Sequence, residues 1–171
     1  MSKLELIRGY YDYNEYANNR VLDAASNLSE DELSRKQGAS FESVEGNLAH
    51  IAAAQIAWHT RWTKGGNSRS TVQIGDVHGF DSVRGLFDRS HADLREFVAS
   101  LTEQRLDGLL PYTDSRGDHY ERLLWQLMLH VANHGSYHRA ETAMALTAFG
   151  RSPGDLDYVF FEIAREAGHV R

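Results

Sequence analysis

His130, His134 and His138 stand four residues apart in the stretch WQLMLHVANHGSYHRAETAMALTAFG, from Trp125 to Gly150. On a helix, four residues advance about 400°, so the three imidazoles stack along one stripe and face the same way. Imidazole is a middling helix former and an indifferent core filler, so three on one face call for hydrogen bonding, titration or metal binding. Metal binding is the sharpest of these chemistries. Neighbours at i and i+4 lie about 6 Å apart and both reach one ion at about 2.0 to 2.1 Å, whereas His130 and His138 are about 12 Å apart. One ion therefore takes an adjacent pair, His130 with His134 or His134 with His138, and the spare imidazole is free to orient a ligand or a bound water. A pair leaves an ion underligated, so a further ligand must come from another helix.

His50 is the candidate for that ligand. It lies among Gly46, Asn47, Ala53, Ala54 and Ala57 on neighbouring turns, and small residues there leave room for an imidazole to project to a facing helix. A lone histidine on such a mixed face is more often a hydrogen-bonded core residue. The histidine ladder on the later helix is what turns that balance.

These four residues need helices to position them, and the composition suits helices. The chain has 171 residues, 42% of them hydrophobic, which favours one domain with a core of its own. Only two prolines interrupt it, and no apolar run approaches the about 18 residues of a membrane span. The N-terminus, MSKLELIRGYYDYN, lacks the pattern of a signal peptide, so a cytoplasmic protein is expected. A net charge of −6 with scattered basic residues argues against nucleic acid, which needs a clustered basic surface. There is no cysteine, so nitrogen ligands must dominate any soft-metal site, and thiolate chemistry would need a thiol brought by a ligand.

Periodicity predicts four long helices and hence a four-helix bundle. The first runs from Leu4 to Leu28, with Leu6, Tyr10, Tyr13, Ala17, Val21, Ala24 and Leu28 as its apolar face. In SNLSEDEL, Ser29 and Glu32 have capping-box spacing and add a short helical turn. The second long helix starts at an N-cap Ser43 and runs through Trp62. Lys64 to Gly79 is the longest loop, with Gly65, Gly66, Asn67, Gly75 and Gly79, and its His78 is solvated. The third is Ser82 to Leu101, capped by Asp81 or Ser82, with His91 facing outward. Asp107 to Asp118, with Pro111 and Ser115, is a connection with a hairpin-like excursion around LLPYTDSRGDHYE. The fourth carries the ladder to a stop at Gly150. Beyond it, a short C-terminal helix tucks Leu156, Val159, Phe160 and Ile163 against the bundle. Tyr10, Tyr13, Asn14 and Tyr137 are placed to line a pocket beside the ion. Trp58, Trp62 and Trp125 read as packing anchors, and Asp12 and Glu15 as solvated.

Three stretches together make the chain resemble the DinB/YfiT-like superfamily over nearly its whole length. LHVANHGSYHRAETAMALTAFG is similar to the family's leading histidine, a second one four residues on, then a third followed by Arg-Gly-Gln. SVEGNLAHIAAAQIAW is like its Ser-led helix ending in a histidine and an aromatic, and YYDYNEYANNRVL is like its Tyr-Asn and Ala-Asn signature. The resemblance implies an all-α, up-down-down-up four-helix bundle that binds a divalent transition metal such as zinc, nickel or iron through His50, His134 and His138. His130 then falls on the family's frequent extra histidine, outside the ligand set. The sequence departs from the pattern at Ala140 and Glu141, where the family often has Gly and Gln, placing an extra carboxylate near His138.

Three neutral imidazoles leave open positions on a divalent ion. Such an ion can present an external thiolate to an electrophile or lower the pKa of a bound water to about 7. Members of the superfamily that use mycothiol, bacillithiol or glutathione favour the first, so the leading expectation is a metal-dependent transferase acting on a low-molecular-weight thiol and a small-molecule substrate, in detoxification or stress response. The alternatives are a metal-dependent hydrolase and a non-catalytic bundle in which the ion only ties helices together. The superfamily also implies a homodimer, for which an exposed apolar stripe on the first or third long helix would serve.

Overall fold

The helix boundaries follow from local chemistry. In the computed structural model, which describes residues 2–38, 40–66, 72, 74–114 and 116–170, α1 spans Lys3–Ala25 behind a capping box of Ser2 and Glu5. The second capping box, Ser29 with Glu32, opens the short α2, Glu30–Ser34. Ser43 caps α3, Val44–Lys64, through the Gly46 amide. A 3-10 turn at Ile74–Asp76 precedes α4, Phe80–Ala99, and α5 is Glu103–Leu106. Strands β1, Leu109–Thr113, and β2, His119–Leu123, form an antiparallel hairpin where the sequence predicts the excursion. Then come α6, Leu124–Ala148, and α7, Tyr158–Glu166. Asn67 and Ser115, two of the predicted loop residues, lie outside the described residues.

At the end of α6, Gly150 has a φ of 71° and its N–H reaches the Thr147 carbonyl, while the Arg151 N–H reaches Leu146. That pair of bonds closes the helix as a Schellman motif, at the predicted stop. The start of α4 differs from expectation. Its N-cap is Gly79 with no side-chain cap, and Asp81 lies inside the first turn, where a carboxylate favours the helix dipole.

Cross-helix contacts give the direction of each long helix. Along α1 and α6 the partners rise together, Tyr11 to the Met128 carbonyl and Asn14 and Asn18 to Arg139. Along α3 and α6 they run oppositely, His50 to His134 and Trp58 to His130. Ser90 donates to Gln55 and Trp62 stacks on Phe97, so α3 and α4 are parallel, while Glu15 with Arg95 and Asp23 with Arg84 make α1 and α4 antiparallel. The bundle is therefore up-down-down-up, with a short C-terminal helix, as expected. No helix among the described residues is long and apolar enough to cross a membrane.

The core has two apolar ends. One gathers Ile7, Trp62, Leu94, Phe97, Met128 and Val131, the other Val21, Leu48, Ile51, Phe87 and Leu146. Between them each long helix turns polar, presenting Asn14 and Asn18, Gln55, Ser90 and His91, and Arg139 and Thr142, all buried. Arg139, only 1% exposed, crosses this belt to donate to Asn14 Oδ1 at 2.7 Å, Asn18 Oδ1 at 2.8 Å and Ser136 Oγ at 2.9 Å. Its partners are amide and hydroxyl oxygens, and a buried cation needs each of them.

That belt corrects two predicted faces. The buried residues of α1 are Ile7, Tyr11, Tyr13, Asn14, Ala17, Asn18, Val21, Leu22 and Ala25, so the predicted Tyr13, Ala17 and Val21 do face inward, while Leu6 is exposed and the face is wider than predicted. Two asparagines at core positions disguise the stripe. His91 is 4% exposed and points inward, its Nε2 3.2 Å from Asn18 Nδ2, rather than outward. The third correction concerns α7. Phe161 is its buried anchor, against Tyr13 and Tyr16, while Val159, Phe160 and Ile163 are exposed. Four apolar residues among 159–163 leave the phase ambiguous from sequence. The entry angle is set by Arg20, whose Nε and Nη2 both donate to the Pro153 carbonyl.

Candidate metal centre

The α3–α6 face of the polar belt is where the imidazoles meet. His50 comes from the middle of α3, where alanines keep the facing helix close, and His134 and His138 from successive turns of α6. His50 Nε2 lies 2.9 Å from His134 Nε2. The ring centroids are 4.9 Å apart for His50 and His134, and 4.5 Å for each of the other two pairs. One nitrogen from each of the three falls within 4.8 Å of the others. Two imidazole nitrogens so close either share a proton or turn both lone pairs toward one cation. Burial first, then the neighbouring imidazoles, lowers His50 to about 4, and burial first lowers His134 to about 4. Both are therefore neutral donors at physiological pH, the state a metal ligand needs.

His138 is held from behind. Its Nδ1 lies 3.0 Å from Glu141 Oε2, and Ser40 Oγ donates to Glu141 Oε1 at 2.6 Å. The Glu141 carboxyl sits below the usual range: its burial works against that, but the hydrogen bonds from Ser40 and His138 outweigh it. A carboxylate on Nδ1 fixes the tautomer and leaves Nε2 as the coordinating atom. Glu141 is partly exposed, and among the described residues its carboxylate is engaged by Ser40 and His138 rather than by a surface cation. It orients one of the three rings.

The donor set fits a divalent transition ion: three imidazole nitrogens on two helices, one ring backed by a carboxylate. Among the described residues no fourth histidine or carboxylate joins the cluster. His130 stands a turn away, stacked on His134 at 5.9 Å and set against the Trp58 ring at 5.4 Å, and burial lowers it too.

Phe41 is the site residue that sequence reasoning missed. Its ring stacks on His50 at 3.7 Å and meets His138 edge-on at 5.5 Å, covering one side of the trio. Two features bring it there. Glu42 takes a left-handed φ of 64°, and Ser43 N–H reaches back to the Phe41 carbonyl at 2.7 Å, a tight turn that costs about 1–3 kcal/mol. Gly46 then lets the Phe41 carbonyl rest on the first turn of α3, where a β-carbon would collide with it. The signal was Gly46 itself, since a glycine inside a helix asks for a packing reason.

The predicted pocket residues divide. Tyr137, 60% exposed, sets its ring edge against His138 at 4.9 Å and forms an outer rim of the site. Tyr13 turns away, donating its hydroxyl to the Leu156 carbonyl at 2.7 Å beneath α7, and Tyr10 packs beside it. Asn14 lies in the polar belt and reaches the site only through Arg139, the residue after His138.

An up-down-down-up helical bundle whose second and fourth long helices converge on three imidazoles defines a class of candidate metal-binding bundles. The chain belongs to the DinB family, whose model matches residues 1–168. Among curated proteins it has no match.

Proposed function

We propose that this protein is a metal-dependent transferase that joins a low-molecular-weight thiol to a small electrophile. The observation that carries the reading is a cluster of three imidazoles with no fourth protein donor beside it among the described residues. His50, His134 and His138 would hold a divalent ion, zinc, nickel or iron. When bound, the ion would supply Lewis acidity and a charge that stabilises an incoming thiolate. The chain has no cysteine to fill that position itself.

The remaining roles belong to the protein's own side chains. Glu141 keeps the His138 proton on Nδ1, so that Nε2 stays a lone-pair donor. Phe41 shields His50 from water on one face. Tyr137 stands at the exposed rim, where its phenol can donate to a substrate oxygen or sulfur.

The test is calorimetry of the zinc-loaded and metal-free protein with glutathione and bacillithiol. Thiol binding that needs the metal and disappears in His134→Ala supports the reading. Equal heats from the two forms, or none from either, reject it.

A further inference from the structure

We propose that the cavity between α1 and α4 is a second small-molecule site, which takes an uncharged carbonyl compound with an apolar body, its oxygen accepting a hydrogen bond from His91 Nδ1. The cavity measures about 420 Å³, within the range of small-molecule pockets, and none of the three clustered histidines lines it.

Its walls are apolar and fixed. Tyr11, Leu94 and Val98 line it, each nearly buried, and the Tyr11 hydroxyl is tied to the Met128 carbonyl at 3.1 Å. His91 and Asn14 supply the polar part of the lining. The His91 tautomer follows from the belt behind it. Asn18 Oδ1 is taken by Arg139, which can only donate, so the Asn18 amide nitrogen is the end turned to His91. His91 Nε2 must then accept, and the ring proton sits on Nδ1. That nitrogen has no protein partner among the described residues and is not itself enclosed, so in a side chain that is otherwise nine-tenths buried and lines the cavity it is left to solvent or to a ligand. A ligand oxygen would take the place of solvent on that donor, while the ligand's apolar body covers Tyr11, Leu94 and Val98.

The mouth selects against charge. Arg8 and Arg95 stand there with Asp12 and Glu15, two of each sign, and Glu15 is already paired with Arg95. This rim gives neither an anion nor a cation a net attraction. Beyond this exposed rim the walls are apolar, so a ligand's own charge would lose its hydration there without gaining a partner.

Histidine-detected ¹⁵N NMR of the full chain without metal, titrated with benzamide, tests this. Benzoate and benzylamine are the charged controls of the same size. The free protein should show His91 as the Nδ1–H tautomer, and benzamide should shift that nitrogen saturably at millimolar concentration. The two charged probes should bind at least about tenfold more weakly. Val98→Phe, which fills the cavity, and Ala99→Trp, at its exposed mouth, should each abolish the benzamide response while zinc still shifts His134. An Nε2–H tautomer overturns the proposal. So does a failure to saturate, shifts centred on His50 and His134, equal binding of the charged probes, or a response that survives in the folded variants.

Discussion

Three imidazoles and one carboxylate carry the chemistry proposed for this chain, and each makes a separable prediction. Replacing His50, His134 or His138 by alanine should lower zinc affinity by about tenfold or more, measured by competition with a chromogenic chelator. His130→Ala should cost less, because its ring stacks on His134 rather than joining the cluster. Glu141→Ala frees the His138 ring and should weaken zinc binding by about 10- to 100-fold. Glu141→Gln keeps an oxygen for His138 Nδ1 and should fall between alanine and the native protein. A Glu141→Ala protein that binds zinc as the native one does would remove Glu141 from the site. The histidine ladder was legible because imidazoles at helical spacing have few structural uses. Choosing between the two adjacent pairs needed the family pattern, since spacing alone is symmetric about His134. Phe41 and the inward turn of His91 were not legible. The first depends on a left-handed residue in a loop and the second on amide partners eighteen positions from the chain's start and later, and neither leaves a periodic trace.

How the elements are phased decides what the side chains can reach. Asn14 and Asn18 on α1 look like solvent-facing residues until Arg139 is placed opposite them, and the buried face of that helix extends past the predicted Tyr13, Ala17 and Val21 as a result. The α7 error has the same origin, a local pattern overruled by a distant contact, here Arg20 on Pro153. The hairpin, the Ser29–Glu32 capping box and the α6 stop were readable because each rests on neighbours in sequence. Where α3 begins, Gly46→Ala should drive the Phe41 carbonyl away and cost on the order of 1–3 kcal/mol in chemical denaturation. The same change should remove the ring-current shift of His50, and an unaltered His50 spectrum would contradict the packing described. On α4, burial first holds His91 down to about 4, with Arg95, Arg84 and Arg139 acting in the same direction and Asp88 against it. A depressed histidine keeps its full contribution above the unfolded value near 6.5 and loses it as the pH falls toward 4. His91→Gln, which cannot titrate, should therefore lose less stability over that window than the native protein, by on the order of 3 kcal/mol. Parallel curves for the two would show that His91 is not held neutral.

For the molecule as a whole, the polar belt between two apolar ends makes the site a joint in the bundle rather than an addition to its surface. Zinc at about a hundredfold over its dissociation constant should raise the unfolding free energy by about 2.7 kcal/mol, read as a rise in Tm, and His134→Ala should erase that rise. Among the described residues the large exposed apolar side chains include Leu6 on α1 and, in greater number, Tyr137, Met144, Val159 and Ile163 on α6 and α7, and we propose these faces as the surfaces for the self-association that the superfamily implies. The up-down-down-up order itself was visible only through the family resemblance, since helix direction is a property of contacts and not of any one segment. It has a consequence for the newborn chain. His50 leaves the ribosome 84 residues ahead of His134, so no ion can bridge the two until the last long helix has emerged, and the i, i+4 pair on that helix is a complete chelate before its third member docks. Capture by that pair, followed by recruitment of His50, would cinch a ring whose closure entropy grows only slowly with its length.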